Sequence, residues 1–276
     1  MNDLFAVARL DLAELRRSRW LGVSLAIYAV LAGVFVLVGL RESSVLGFTG
    51  MGRVLFSLCH VLVLVLPLLA LLVTGQVIGR AREDGALEFL FSQPVRRRSY
   101  FAAITGVRYL ALALPLCAVL FGLALFAHVA WGQAIPWDFL WRACAVTAAL
   151  LWAFTGLGML VSAGVRSHAR ALTYLILLWA GAVALVDFAL IGLMLQWRLN
   201  PQTVLLLASL NPVQAARLAL LSSAQPDLAT LGPVGFWIAH RFGAAALLVL
   251  GLSWPAIFGT VTWTWALRVF RRGDAV

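Results

Sequence analysis

The sequence predicts an all-α, polytopic membrane protein with six transmembrane helices, and three observations carry that expectation. The 276-residue chain is 63% hydrophobic and only 12% charged. A soluble domain carries about 25% charge, so this chain lacks the polar surface to coat a water-soluble globule. Six apolar runs reach or exceed the ~20 residues that a helix needs to cross hydrocarbon: residues 20–40, 54–78, 104–130, 139–164, 172–197 and 238–267. Finally, the formal charge is +10, every basic residue is arginine, and the arginines are unevenly placed along the chain.

The elements follow in order, within one membrane domain over residues 1–276. Residues 1–19 put Leu4, Phe5, Ala8, Leu12 and Leu15 on one helical face, with Asp3, Glu14 and Arg17 opposite. That pattern predicts an interfacial helix leading into span one. Asp3, Asp11 and Glu14 precede an apolar run too long for a signal-peptide core, so no cleaved leader is expected. Pro67, Pro115 and Pro255 fall inside spans two, three and six, where proline bends a helix. Fourteen arginines lie on the segments that share a side with the N-terminus, and five lie on the other side. Arg108 and Arg142 are near span ends, where they can snorkel. The positive-inside rule then places both termini in the cytoplasm. The arginine excess is read as topology, with no nucleic-acid partner.

Residues 82–100, between spans two and three, are the most charged stretch. Leu87, Leu90, Phe91 and Pro94 share one helical face, with Asp84, Glu88 and Ser92 on the other. Glu83 and Asp84 suit the positive end of the helix dipole, and Arg96, Arg97 and Arg98 suit the negative end. A short amphipathic helix is expected, either lying among lipid headgroups or docking into a partner's groove.

The absence of lysine excludes a P-loop, whose lysine sits on nucleotide phosphates. If ATP powers this chain, another polypeptide binds it. Cys59, Cys117 and Cys144 show no CxxC or Cys/His ligand spacing. They read as packing residues rather than a copper route, and no metal site is assigned. His60 likewise reads as packing. Asp187 lies near the middle of span five, where an ionisable group is costly and marks function by default. It lines a pathway, bonds across a dimer interface, or pairs with a polar residue on a neighbouring helix. The outer segment 198–237 is the longest polar one. Asn211 followed by Pro212 reads as an N-cap and first helical turn, for a short helix at the outer surface or one touching an outer partner. Gly158 with Ser162, and Ala180 with Ala184, are small pairs that let helices approach. Ser162, His168, His60 and Asp187 supply reactive groups for an intramembrane enzyme, but no nucleophile elbow or HExxH motif accompanies them.

The run EDGALEFLFSQPVR, Glu83 to Arg96, resembles the cytoplasmic motif of ABC-2 type permeases, roughly ExGTLExLLSxPVSR. Glu83, Gly85, Leu87, Glu88, Leu90, Ser92, Pro94 and Val95 match. Ala86 stands where Thr is usual and Arg96 where Ser is usual, while Arg97 falls at the final Arg. The resemblance implies a non-catalytic permease subunit of the bacterial inner membrane, with an N-terminal elbow helix and six spans. It implies that residues 82–100 form a coupling helix that enters a separate ATPase through Glu83, Gly85, Leu87, Glu88, Leu90, Phe91 and Pro94. ATP and Mg belong to that partner, this chain binds no cofactor, and a second copy of the chain completes the assembly.

Further stretches are RSRWL (Arg17–Leu21), LGFT (Leu46–Thr49), LNPVQAARL (Leu210–Leu218) and LGPVGFW (Leu231–Trp237). They resemble permeases that serve copper-site maturation of nitrous-oxide reductase beside a periplasmic copper-binding protein. They imply Asn211, Pro212 and Arg217 as contacts with such a partner. Export of an unrelated substrate is the alternative within the same family.

Overall fold

The computed structural model describes residues 2–17, 19–41, 51–132, 134–165, 167–189, 192, 201–224 and 232–272. The described chain is helical, with no strand among those residues. Its helices are α1 (Asn2–Arg17), α2 (Arg19–Arg41), α3 (Met51–Thr74), α4 (Val77–Glu83), α5 (Ala86–Phe91), α6 (Arg97–Trp131), α7 (Trp137–Gly164), α8 (His168–Ala180), α9 (Pro201–Leu210), α10 (Pro212–Ala224) and α11 (Gly232–Arg272). A π-helical turn, Gly181–Leu185, continues α8. Residues 42–50, 193–200 and 225–231 lie outside the described residues, and with them the LGFT stretch and parts of the outer segment.

Five stretches are long and apolar enough to cross a membrane: Val54–Glu83, Arg97–Ala130, Trp137–Gly164, His168–Ala189 and His240–Arg272. They coincide with expected spans two to six. The first expected span falls on α2, whose fully described apolar part is Gly22–Phe35. The interruptions of helical backbone fall away from the prolines. Pro67 and Pro115 sit inside continuous helices. Span two breaks instead at Gly75–Gln76, between α3 and α4. In α11 the non-helical residue is Gly243 (φ 73°, ψ 163°), upstream of Pro255.

Helix α7 is the centre of the bundle, packed between α3 and α11. Helices in lipid gain little from hydrophobicity alone and associate through close backbone approach and hydrogen bonds. The predicted Gly158/Ser162 pair does this work against α3–α4. A Cβ on Gly158 would lie 2.1 Å from Thr74 Oγ1, so no side chain fits there. One turn on, the buried Ser162 Oγ accepts the Ile78 N–H at 2.8 Å. Ile78 is in the first turn of α4, where backbone donors have no intrahelical partner. The hydroxyl of α7 thus satisfies the break in span two.

A second apolar core gathers at one end of the bundle: Val7, Ile78, Leu87, Phe101, Met159, Ala163 and Phe270. These come from α1, α4, α5, α6, α7 and α11, the segments that the arginine distribution places on one side. Helix α1 differs from its expected amphipathic split. Val7, Asp11 and Leu15 are its buried residues, whereas Leu4, Phe5 and Leu12 face outward. One stripe docks on α6, and the apolar remainder is left for whatever surrounds the protein.

Candidate functional site

The first candidate site is the α4–α5 corner. Gly85 (φ 67°) caps the start of α5 in the left-handed region, which an L side chain adopts only at a cost. The turn ends α4, and α5 packs against the core at this end of the bundle. Leu87 is 1% exposed and belongs to the end core, with Leu90 and Phe91 packed partly against it. The Phe91 ring meets Tyr100 at 5.6 Å and Phe270 at 6.2 Å, and the Arg97 guanidinium sits 5.5 Å over it.

The apolar face that sequence periodicity offered to a partner is therefore the face that seats α5 on its own chain. The surface left outward includes Glu83, Asp84, Ala86, Glu88, Phe89, Ser92, Gln93 and Pro94. Phe89 is 73% exposed. The sequence reading passed over it because Phe89 lies off the Leu87–Leu90–Phe91 stripe. Its signal was a large aromatic on the polar side of a short helix.

The second site is polar and lies where the π turn and the residues after it, as far as Asp187, meet α10. Arg217 Nη1 donates to both carboxylate oxygens of Asp187 at 2.9 Å. The Gln214 amide also donates to Asp187 Oδ1, while its Oε1 accepts from Arg217 at 3.4 Å. Asn211 caps α10, its Oδ1 accepting the Val213 N–H at 2.9 Å, and its amide donates to the Ala182 carbonyl inside the π turn. Of the three readings of Asp187, the one that matches is a pair with a neighbouring helix.

Asn211, Pro212 and Gln214 are buried, and Val213, Ala216, Ala219 and Leu220 are fully so. This corrects the expectation of a surface helix. Its polar groups bond inward to α8, and its small apolar faces pack on α3, α7 and α11. Asn211 and Pro212 thus have no surface to offer an outer partner in this conformation, and the Arg217 guanidinium is engaged by Asp187.

Other candidates fall elsewhere. His60 packs its ring on Phe56 at 5.0 Å. All three cysteines are free thiols, Cys59 and Cys144 buried and Cys117 half-buried. Among the described residues, no group of three His, Cys, Asp or Glu side chains is placed to hold a metal. The Ser162 hydroxyl is engaged by the Ile78 N–H, and the Asp187 carboxylate by Arg217 and Gln214.

Arg108, expected to snorkel, instead turns inward. Its Nη2 donates to Asp11 Oδ1 at 2.9 Å and its Nη1 to the Val73 carbonyl at 3.2 Å. Burial pushes the Asp11 carboxyl above its ordinary value, with Arg108 opposing.

Five helices long and apolar enough to cross a membrane, packed around α7, define a polytopic membrane protein. The family model described as "ABC-2 family transporter protein" matches residues 5–275, and the chain belongs to that family. It is 27% identical over 278 residues to the "Probable ABC transporter permease protein NosY" of Stutzerimonas stutzeri, covering 99% of both chains. It is 28% identical over 268 residues to the protein of the same name from Pseudomonas aeruginosa, covering 91% of this chain and 96% of that one.

Proposed function

We propose that this chain is the membrane subunit of an ATP-driven transporter whose separate ATPase docks on the outward face of α5. The single observation that carries this is the geometry of the corner. Leu87, Leu90 and Phe91 fasten the helix to the bundle, leaving Phe89 exposed and flanked by Glu88, Ser92 and Gln93. An exposed aromatic with a polar rim is the composition of an interface anchor. The chain has no lysine and hence no P-loop of its own, which fits ATP and Mg residing on the partner.

Motion of that partner reaches α5 and passes through the end core into α4, α6 and α7. In this reading α1 is the elbow helix, α2 is the first of six spans, and both termini face the cytoplasm of a bacterial inner membrane. Two copies of the permease pair with two ATPases. The resemblance to NosY-named permeases supports a role in copper-site maturation of nitrous-oxide reductase, with a periplasmic copper-binding protein as client or partner.

Two substitutions separate fastening from docking. Phe89→Ala should weaken co-purification of the ATPase by about tenfold or more, as truncated interface anchors commonly cost about 2 kcal/mol, with thermal stability of the permease unchanged. Leu87→Ala should lower permease stability by about 2–5 kcal/mol, the range for a buried leucine. Wild-type recovery of the ATPase with Phe89→Ala would refute the docking face.

A further inference from the structure

Between α1, α4 and α6 the structure encloses a cavity of about 330 Å³. Three carboxylates line it, those of Asp11, Glu14 and Asp84, together with the guanidiniums of Arg80 and Arg108. Asp11 is 5% exposed. Its Oδ1 is held by Arg108, but its Oδ2 is buried with no hydrogen-bond partner among the described residues. A buried carboxylate oxygen without a donor is costly, and such an atom calls for a group that satisfies it.

The protein's own cations are committed elsewhere in part. Arg108 divides itself between Asp11, at 2.9 Å, and the Val73 carbonyl, and stands 3.9 Å from Glu14. Arg80 is exposed, with Nη2 on Gln76. The lining thus asks for a compact cation rich in N–H donors beside the acids. A primary ammonium supplies three such donors. An acceptor oxygen is asked for by Arg108 Nε, buried with no hydrogen-bond partner among the described residues, and the exposed Arg80 lines the same cavity. Part of its wall is α1, whose Leu4, Phe5 and Leu12 face outward, as on a helix lying in the headgroup layer.

We propose that this cavity binds the phosphoethanolamine headgroup of an aminophospholipid, its ammonium donating to Asp11, Glu14 and Asp84 and its phosphodiester facing Arg80. Choline headgroups have no N–H to donate, and glycerol headgroups have no cation, so the site discriminates against both. Asp84 is followed at once by the Gly85 turn into α5, which puts the bound lipid next to the corner that faces the cytoplasm in the proposed topology. The inference does not depend on what docks there.

The test is native mass spectrometry of the purified, delipidated full-length chain. It is titrated with phosphatidylethanolamine, phosphatidylcholine and phosphatidylglycerol carrying the same acyl chains. The ethanolamine lipid should be retained about tenfold better than either other lipid, since hydrogen bonds to charged groups are worth about 1.5–3 kcal/mol. The double variant Glu14→Gln with Asp84→Asn alters two exposed side chains and should abolish the preference without changing the elution profile. Equal retention of the three lipids by the wild-type chain overturns the proposal, whatever the variant does. An undiminished preference in the double variant overturns it as well. Free glycerophosphoethanolamine separates the two sources of this headgroup: it should compete only at far higher concentration than the lipid. Competition at equal concentration would assign the site to a soluble zwitterion and overturn the lipid assignment.

Discussion

Asp187 and Arg217 illustrate how an ionisable residue is kept inside a membrane bundle. Each is partly buried, and each charge is met by the other and by Gln214. Asp187→Asn and Arg217→Gln should each lower stability by about 2 kcal/mol, as expected for charged hydrogen bonds, and the double variant should cost much less than their sum. Thermal unfolding of the purified variants reads this out, and additive losses would dissolve the pair. Asp11 behaves differently. Because burial holds its carboxyl above the ordinary value, the folded chain binds that proton more tightly than the unfolded chain does. The stability contributed by protonation is present in acid and is lost as pH rises through the raised folded value. Wild type should therefore lose stability relative to Asp11→Asn as pH climbs from about 4 toward neutrality, and parallel profiles for the two would contradict it. From sequence, Asp187 was legible as a residue in need of a partner. Which residue supplied it was not, because Arg217 lies on a helix whose burial no local pattern announces.

At the scale of elements, hydropathy marked spans two to six well, since length and apolarity are local properties. The breaks were less legible. Proline is tolerated in membrane helices when neighbours satisfy the freed carbonyls, and here the chain breaks at Gly75–Gln76 and Gly243 instead. The α5 stripe was found correctly as a pattern, but a pattern does not say which neighbour it meets. The end core built by Phe101, Tyr100 and Phe270 claimed it. Indole N–H groups tie elements together in a way sequence does not display: Trp179 to the Leu64 carbonyl at 3.0 Å, Trp254 to the Leu210 carbonyl at 3.1 Å and Trp263 to Thr105 at 3.1 Å. The closest of the α3–α7 contacts can be tested directly. Gly158→Ala should destabilise the chain by about 1–3 kcal/mol, as overpacking does. Thr74→Ala in the same chain should recover part of that loss, because Thr74 Oγ1 is the atom in the way. No recovery would mean that the helices do not meet at this point.

For the whole molecule, the arginine asymmetry and the two ends of the bundle tell the same story, since the segments expected on one side share the end core. The proposed orientation is checked with single cysteines in a background lacking the native three. A cysteine at Gln202, exposed on α9, should react with a membrane-impermeant thiol reagent in intact cells, whereas one at Gln93, exposed beside α5, should not. The opposite labelling would invert the topology and remove α5 from the cytoplasm. Helix α10 bears on how such a chain comes to be made. At 13 residues it is about 20 Å long, short of the ~30 Å hydrocarbon layer, so hydropathy alone cannot thread it across the bilayer. Yet it ends up enclosed by α3, α7 and α11, the last of which is synthesised after it. Its enclosure is therefore completed by a helix that follows it in the chain. A chain cut short before α11 lacks one wall of that enclosure, so the polar groups of α10 that meet Asp187 are left beside an open face.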